Sequence, residues 1–220
     1  MSIPRDDRLA ERFGEHAALA AALLPEAVPA GDGAHDLAHL LRVYKAAEAI
    51  RAAEGGDGRI LAAAVLLHDC VAVEKNSPER PMASRLAAER ASRILRRLGW
   101  DDASIAAVAH AVAAHSFSAG IRPETLEAKI LQDADRLDAI GMVGIARCFY
   151  IAGRLGSALY EPVDPEARAR PLDDAAYALD HFPAKLLKLA AGFNTEAGRR
   201  MAAERHRRLE TFLAGLADEI

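Results

Sequence analysis

An all-helical fold is what this sequence predicts, on three observations. Hydrophobic residues make up 51% of the 220, much of that alanine and leucine, while aromatics stay at 5%. Strands favour β-branched and aromatic side chains, so this mixture points to helix. Apolar residues recur at three- and four-residue spacing, and no stretch of any length alternates with a period of two.

Taken in order, Leu9 to Leu24 reads as a first helix, ended before Pro25. A loop rich in Pro and Gly runs to Gly33. His35 to Ala53 is the second helix, with Leu37, Leu40, Leu41, Tyr44 and Ala47 on one stripe. Gly55, Gly56 and Gly58 break it. Arg59 to Asp69 is apolar almost all round, as expected of a central buried helix. A polar loop from Glu74 to Pro81 follows. Met82 to Leu98 is amphipathic and stops at Gly99. Asp101 or Asp102 can cap a helix running to about His115. Ser116 to Pro123 is a loop, and Glu124 to about Ile151 is one helix bent near Gly141 and Gly144. Gly153 to Pro171, with three prolines, is a long irregular segment of the kind that often covers a site. Leu172 to Ala191 and Thr195 to Leu216 supply the last helices.

Composition narrows the function. The formal net charge is −4 and the basic residues are dispersed, which gives no footprint for duplex nucleic acid. A small anionic substrate is still compatible, because a pocket can be positive on an acidic protein. Cys70 and Cys148 form no CxxC, so neither a zinc knuckle nor a disulfide scaffold is expected. Cys70 follows an apolar run and reads as a buried thiol. Met1 to Leu9 is polar with no apolar run behind it, and Ile60 to Leu67 is too short to span a bilayer. A cytoplasmic protein with no membrane partner is the expectation.

The chemistry lies in where the histidines fall. The chain reads H35-D-L-A-H39-L-L-R42-V43, then L-L-H68-D69, then H110-A-V-A-A-H115-S116, then Q-D133-A-D135-R136-L-D138. His35 and His39 share one helix face, with Arg42 a turn further on. His68 and Asp69 are adjacent, and a helix end can aim both at one point. An ionised Asp beside an apolar helix is costly without a cation or donor. Asp135 sits in another apolar-flanked helix. Two imidazoles and two carboxylates make a mixed N/O set that suits a borderline divalent ion. A set of helix-end salt bridges explains this joint spacing badly.

The succession of HxxRV, HD and a late Asp resembles the HD-domain phosphohydrolase superfamily, over His39 to about Asp138. Further likeness to short, stand-alone bacterial members lies in LLHDCVAVEKNSPERP, AHxxxxHSFS, DHFxxKLL and TxxGR, from roughly His35 to the C-terminus. The resemblance implies a compact multi-helix bundle as a single domain over 1–220. Its ligand-bearing core would span about 35–152, and C-terminal helices with a lid-like loop about 153–220. It implies metal ligands His39, His68, Asp69 and Asp135. The ion would be divalent: Mn, Fe, Co, Ni, Mg or Zn. Hydrolysis of a phosphate ester or anhydride in a small molecule, a nucleotide being the usual suggestion, is the activity implied.

Around that core, Asp69 can also orient the attacking water. Lys75 and Arg80 follow on a polar loop and are placed to meet phosphate oxygens, Arg80 in bidentate fashion. His115 can protonate a leaving oxygen or hold a second metal. His35, His110, Asp133, Asp138 and the His181, Lys185, Lys188 stripe are lesser candidates. Arg205 to Arg208 reads as an exposed helical face. Phe117, Phe149, Tyr150, Tyr160 and Phe182 are unranked candidates for stacking on a base. Two other readings stay open: a non-catalytic nucleotide sensor on the same scaffold, and a di-iron oxygenase, which needs two metals and hence His110 plus His115 or similar.

Overall fold

The structure is a computed structural model that describes residues 7–27, 36–71, 73, 82–116 and 119–220. Among these the chain is helical and forms no strand. Internal contacts group it into two compact units, Met1–Asp135 and Arg136–Ile220.

The first unit is built around α4 (Gly58–Leu67). Every residue from Ile60 to Leu67 is buried, as its unbroken apolar run requires. Asp57 caps it, its carboxylate accepting the N–H groups of Arg59 and Ile60. Against α4 pack α2 (Ala17–Ala27), α3 (Leu37–Glu54) and α6 (Asp102–Ala114), and α5 (Ala83–Arg97) lies on α6. Asp36 caps α3 by accepting the N–H of His39 at 2.9 Å. Asp101 caps α6 through the N–H of Ser104.

Three segments differ from the sequence expectation. The first expected helix is two: α1 (Asp7–Glu11), a 3-10 turn over Gly14–His16, then α2. Gly14 takes a φ of +55°, a left-handed step that ends a helix. Pro25 does not end α2 but lies in its last turn.

The expected bent helix from Glu124 is also two, α7 (Leu126–Asp138) and α8 (Gly141–Leu155). Ile140 is extended and Gly141 has φ +74°, so the chain turns sharply here. Gly144 then lies so close to the turn that a Cβ would meet the carbonyl oxygen of Ala139 at 2.3 Å. The expected helix from Leu172 to Ala191 is only a short α9 (His181–Ala184) and a 3-10 run over Leu186–Gly192.

In the second unit α8 packs on α10 (Glu196–Ala217), which Thr195 caps. Phe149, Phe182 and Phe212 meet here, with ring centroids 5.7–5.9 Å apart. Phe182 is fully buried and Phe149 and Phe212 are half-buried, so the three rings pack against one another rather than standing open for a base. The irregular segment 157–180 is ordered by its own polar groups. The carboxylate of Asp164 accepts three successive N–H groups, from Arg168, Ala169 and Arg170. Arg170 then grips buried Asp180 with both terminal nitrogens, at 2.6 and 2.7 Å. Arg205 is half-buried and donates to the carbonyl of Leu137, so the basic run around it is not simply an exposed face.

Candidate metal centre

Four elements of the first unit deliver side chains to one point. His39 lies on the first turn of α3. His68 and Asp69 follow the last residue of α4. Asp135 projects from α7 and His115 follows the last residue of α6. The N-caps described above fix α3, α4 and α6, and a further bond ties α7 to the end of α6. Gln132, one turn before Asp135, is buried and donates to the carbonyl of Ala114, next to His115.

The geometry is tight. The Nε2 atoms of His39 and His68 are 3.3 Å apart. Asp135 Oδ1 stands 3.5 Å from the first and 3.9 Å from the second. Asp69 Oδ2 stands 3.4 Å from His68 Nε2 and 3.8 Å from His39 Nε2. One ligand atom each from His39, His68 and Asp135 can be chosen within 4.8 Å of one another. His115 Nε2 faces the other oxygen of Asp69 at 3.7 Å.

The imidazoles are oriented from behind. His68 Nδ1 is 2.8 Å from the carbonyl of Val65, and His115 Nδ1 is 2.6 Å from that of Val112. A carbonyl can only accept, so both Nδ1 atoms carry a proton, and in the neutral form of each ring the lone pair lies at Nε2, facing the centre. His39, His68 and His115 are buried, while Asp69 and Asp135 are about 30% exposed at the side chain. Burial drives the His68 imidazole down, but the carboxylates of Asp69 and Asp135 outweigh it and raise the group to about 9. Burial and the neighbouring His68 hold His115 below its ordinary value. Inward lone pairs beside two carboxylates form a donor set that fits a divalent cation with mixed N/O coordination.

Several lesser candidates are engaged elsewhere. His110 Nε2 accepts the N–H of Glu124 at 2.9 Å and so shapes the loop before α7. Asp138 is buried in a 2.7 Å pair with Arg147. Asp133 is fully buried. His181 pairs with Asp174 at 2.9 Å, and Lys185 and Lys188 are exposed. Tyr150 is exposed and Tyr160 half-buried. Cys70 and Cys148 are buried thiols, both pushed up to about 11, chiefly by burial. His35, Lys75, Arg80 and Phe117 lie outside the described residues. Sequence reasoning missed Asp36 and Gln132. An Asp three residues before His39 is a readable capping signal, whereas nothing local marks Gln132.

Comparison with known proteins shows the family of the chain. Residues 36–140 match the HD domain model. The uncharacterized protein YpgQ of Bacillus subtilis (strain 168) is 35% identical over 190 residues, 84% of each chain. An HD-superfamily hydrolase from Bacillus thuringiensis superposes with a TM-score of 0.68 at 31% identity, over 98% of this chain and 97% of that one. The crystal structure of Bacillus subtilis YpgQ in complex with ADP gives 0.66 at 29%, over 98% and 97%. The chain belongs to the HD domain family. Its fold is that of the HD-superfamily hydrolases, all-helical as the sequence predicts. Among the described residues no helix is long and apolar enough to cross a membrane.

Proposed function

We propose that this protein is a metal-dependent phosphohydrolase that cleaves a phosphate ester or anhydride of a small molecule, with a nucleotide as the best-supported substrate class. The observation that carries this reading is the meeting of the His39 and His68 Nε2 atoms with the carboxylates of Asp69 and Asp135. Likeness to an HD-superfamily hydrolase supports the reaction class. The ADP complex of YpgQ supports the nucleotide.

His39, His68, Asp69 and Asp135 would hold the ion. A divalent ion there lowers the pKa of a water and polarises a phosphoryl oxygen. Asp69 has a second task, since its carboxylate is open enough to accept a hydrogen bond from the attacking water and aim it at phosphorus. His115, facing the same carboxylate, would take a proton from the attacking water at Nε2 and pass it to the leaving oxygen. Lys75 and Arg80 neutralise phosphate charge, which is the main need in phosphoryl transfer.

The test is a panel of nucleotides and other phosphorylated metabolites supplied with Mn or Co, read as phosphate or pyrophosphate released. Turnover of at least one is expected. Tight nucleotide binding by calorimetry without turnover of any would favour the sensor instead.

A further inference from the structure

We infer that Arg90, held by Glu26, is a positioning residue for the candidate metal centre, fixing the turn that presents His68 and Asp69. This rests on the metal reading above.

Both residues lie beyond the last residue of α4, in a turn whose backbone bond runs from the Cys70 N–H to the Leu67 carbonyl at 3.2 Å. The residue after them, Cys70, is fully buried, so its carbonyl needs a donor from within the protein. Arg90 supplies it, Nη1 donating to the Cys70 oxygen at 3.0 Å. The Cys70 thiol points to the Ala87 carbonyl at 3.5 Å, so α5 holds this one residue at two points. A half-buried guanidinium needs a counter-charge in turn. Glu26, in the last turn of α2, accepts from Arg90 Nη2 at 3.0 Å and turns its other oxygen to Arg97 at 2.7 Å. Arg90 and Arg97 together hold the Glu26 carboxyl below the usual carboxylate range.

The chain of contacts runs Glu26, Arg90, Cys70 carbonyl, and Asp69 one residue away. Its geometry needs arginine. The fork spans two acceptors on two elements, which a single ammonium does poorly. Asp69 must meet the imidazoles on one side and a water on the other, and a misplacement of about 1 Å at such a site is worth on the order of a hundredfold.

The experiment is Co(II) titration of the full chain, read both as affinity and as the visible ligand-field spectrum, for wild type, Arg90→Met, Arg90→Lys and Glu26→Gln. Arg90→Met should weaken Co(II) binding about tenfold or more and alter the spectrum. Arg90→Lys should fall between it and wild type, and Glu26→Gln should show a smaller loss in the same direction. Wild-type affinity and spectrum in folded Arg90→Met, with only a lower melting temperature, would reduce Arg90 to a structural tie and overturn the inference. If Arg90→Met does not fold, unchanged affinity and spectra in both Arg90→Lys and Glu26→Gln overturn it equally. A wild-type chain that takes up no Co(II) overturns the metal reading itself, and this inference with it.

Discussion

The Nε2 atoms of His39 and His68 face each other across 3.3 Å, although the residues are 29 positions apart and on different elements. Two ring nitrogens brought so close in a buried site need a proton or a cation between them. The surroundings favour positive charge there: the Val65 carbonyl accepts the His68 Nδ1 proton, and the carboxylates of Asp69 and Asp135 supply negative charge. The function proposed above is the chemistry this one relationship permits.

His115 should separate catalysis from metal binding. Its Nε2 faces Asp69 Oδ1, whereas His39 and His68 face Oδ2. His115→Gln is expected to lower kcat by roughly a hundredfold while leaving metal affinity within a few fold. Calorimetric metal titration beside steady-state kinetics checks this. A matching collapse of metal affinity would make His115 a ligand.

Lys75 and Arg80 should act on substrate alone. Arg80→Met is expected to raise KM for a nucleotide or other phosphorylated substrate by about tenfold, the loss of one charge-assisted pair. Metal affinity should not move. A change in metal binding with unchanged KM would count against a phosphate contact.

Much of the fold was legible in the sequence, for reasons that differ by element. The helix from Gly58 to Leu67 could be read because burial all round leaves an unbroken apolar run. The cluster of His39, the His68–Asp69 pair and Asp135 could be anticipated because each stands against an apolar background where an unsatisfied charge is costly. Gly141 and Gly144 mark a bend between α7 and α8, but that it is a full break could not be read. Asp138, Ala139 and Ile140 all tolerate a helix, and the periodicity runs on through them. Only the positive φ of Gly141 and the contact of Gly144 with Ala139 reveal the turn. The segment around His181 misled in the opposite sense. Its leucines and lysines have helical spacing, yet Lys185 leaves helical geometry, with φ −137° at the end of α9. Arg90 carries no sequence signal at all, since its partners Glu26 and Cys70 are 64 and 20 residues away.

That break makes a sharp prediction about stability. At Gly144 a new Cβ meets backbone that cannot swing aside. Gly144→Ala is expected to destabilise by about 1–3 kcal/mol or more. Gly153→Ala, in the same helix with open space around it, should stabilise by roughly 0.5–1 kcal/mol through helix propensity. Denaturant unfolding of the pair checks both signs.

The Arg170–Asp180 pair should give the second unit an acid limit. Arg170 holds the Asp180 carboxyl below its ordinary value of 3.8. A carboxyl depressed in the folded state contributes stability that is present above the unfolded pKa and lost as pH falls through the folded one. Stability from this pair is therefore whole at neutral pH and lost as the solution is acidified below about pH 4. Asp180→Asn should lower the melting temperature at pH 7 and narrow its difference from wild type at acid pH. A difference that does not depend on pH would assign the effect to packing.

The most direct test is manganese-dependent release of phosphate or pyrophosphate by wild type and by His68→Ala, each with its metal content measured. The expected result is a bound divalent ion and turnover in the wild type, both lost in a folded His68→Ala chain. A His68→Ala chain that retains metal and turnover, or a metal-loaded wild type inert toward every phosphorylated compound tried, would contradict it.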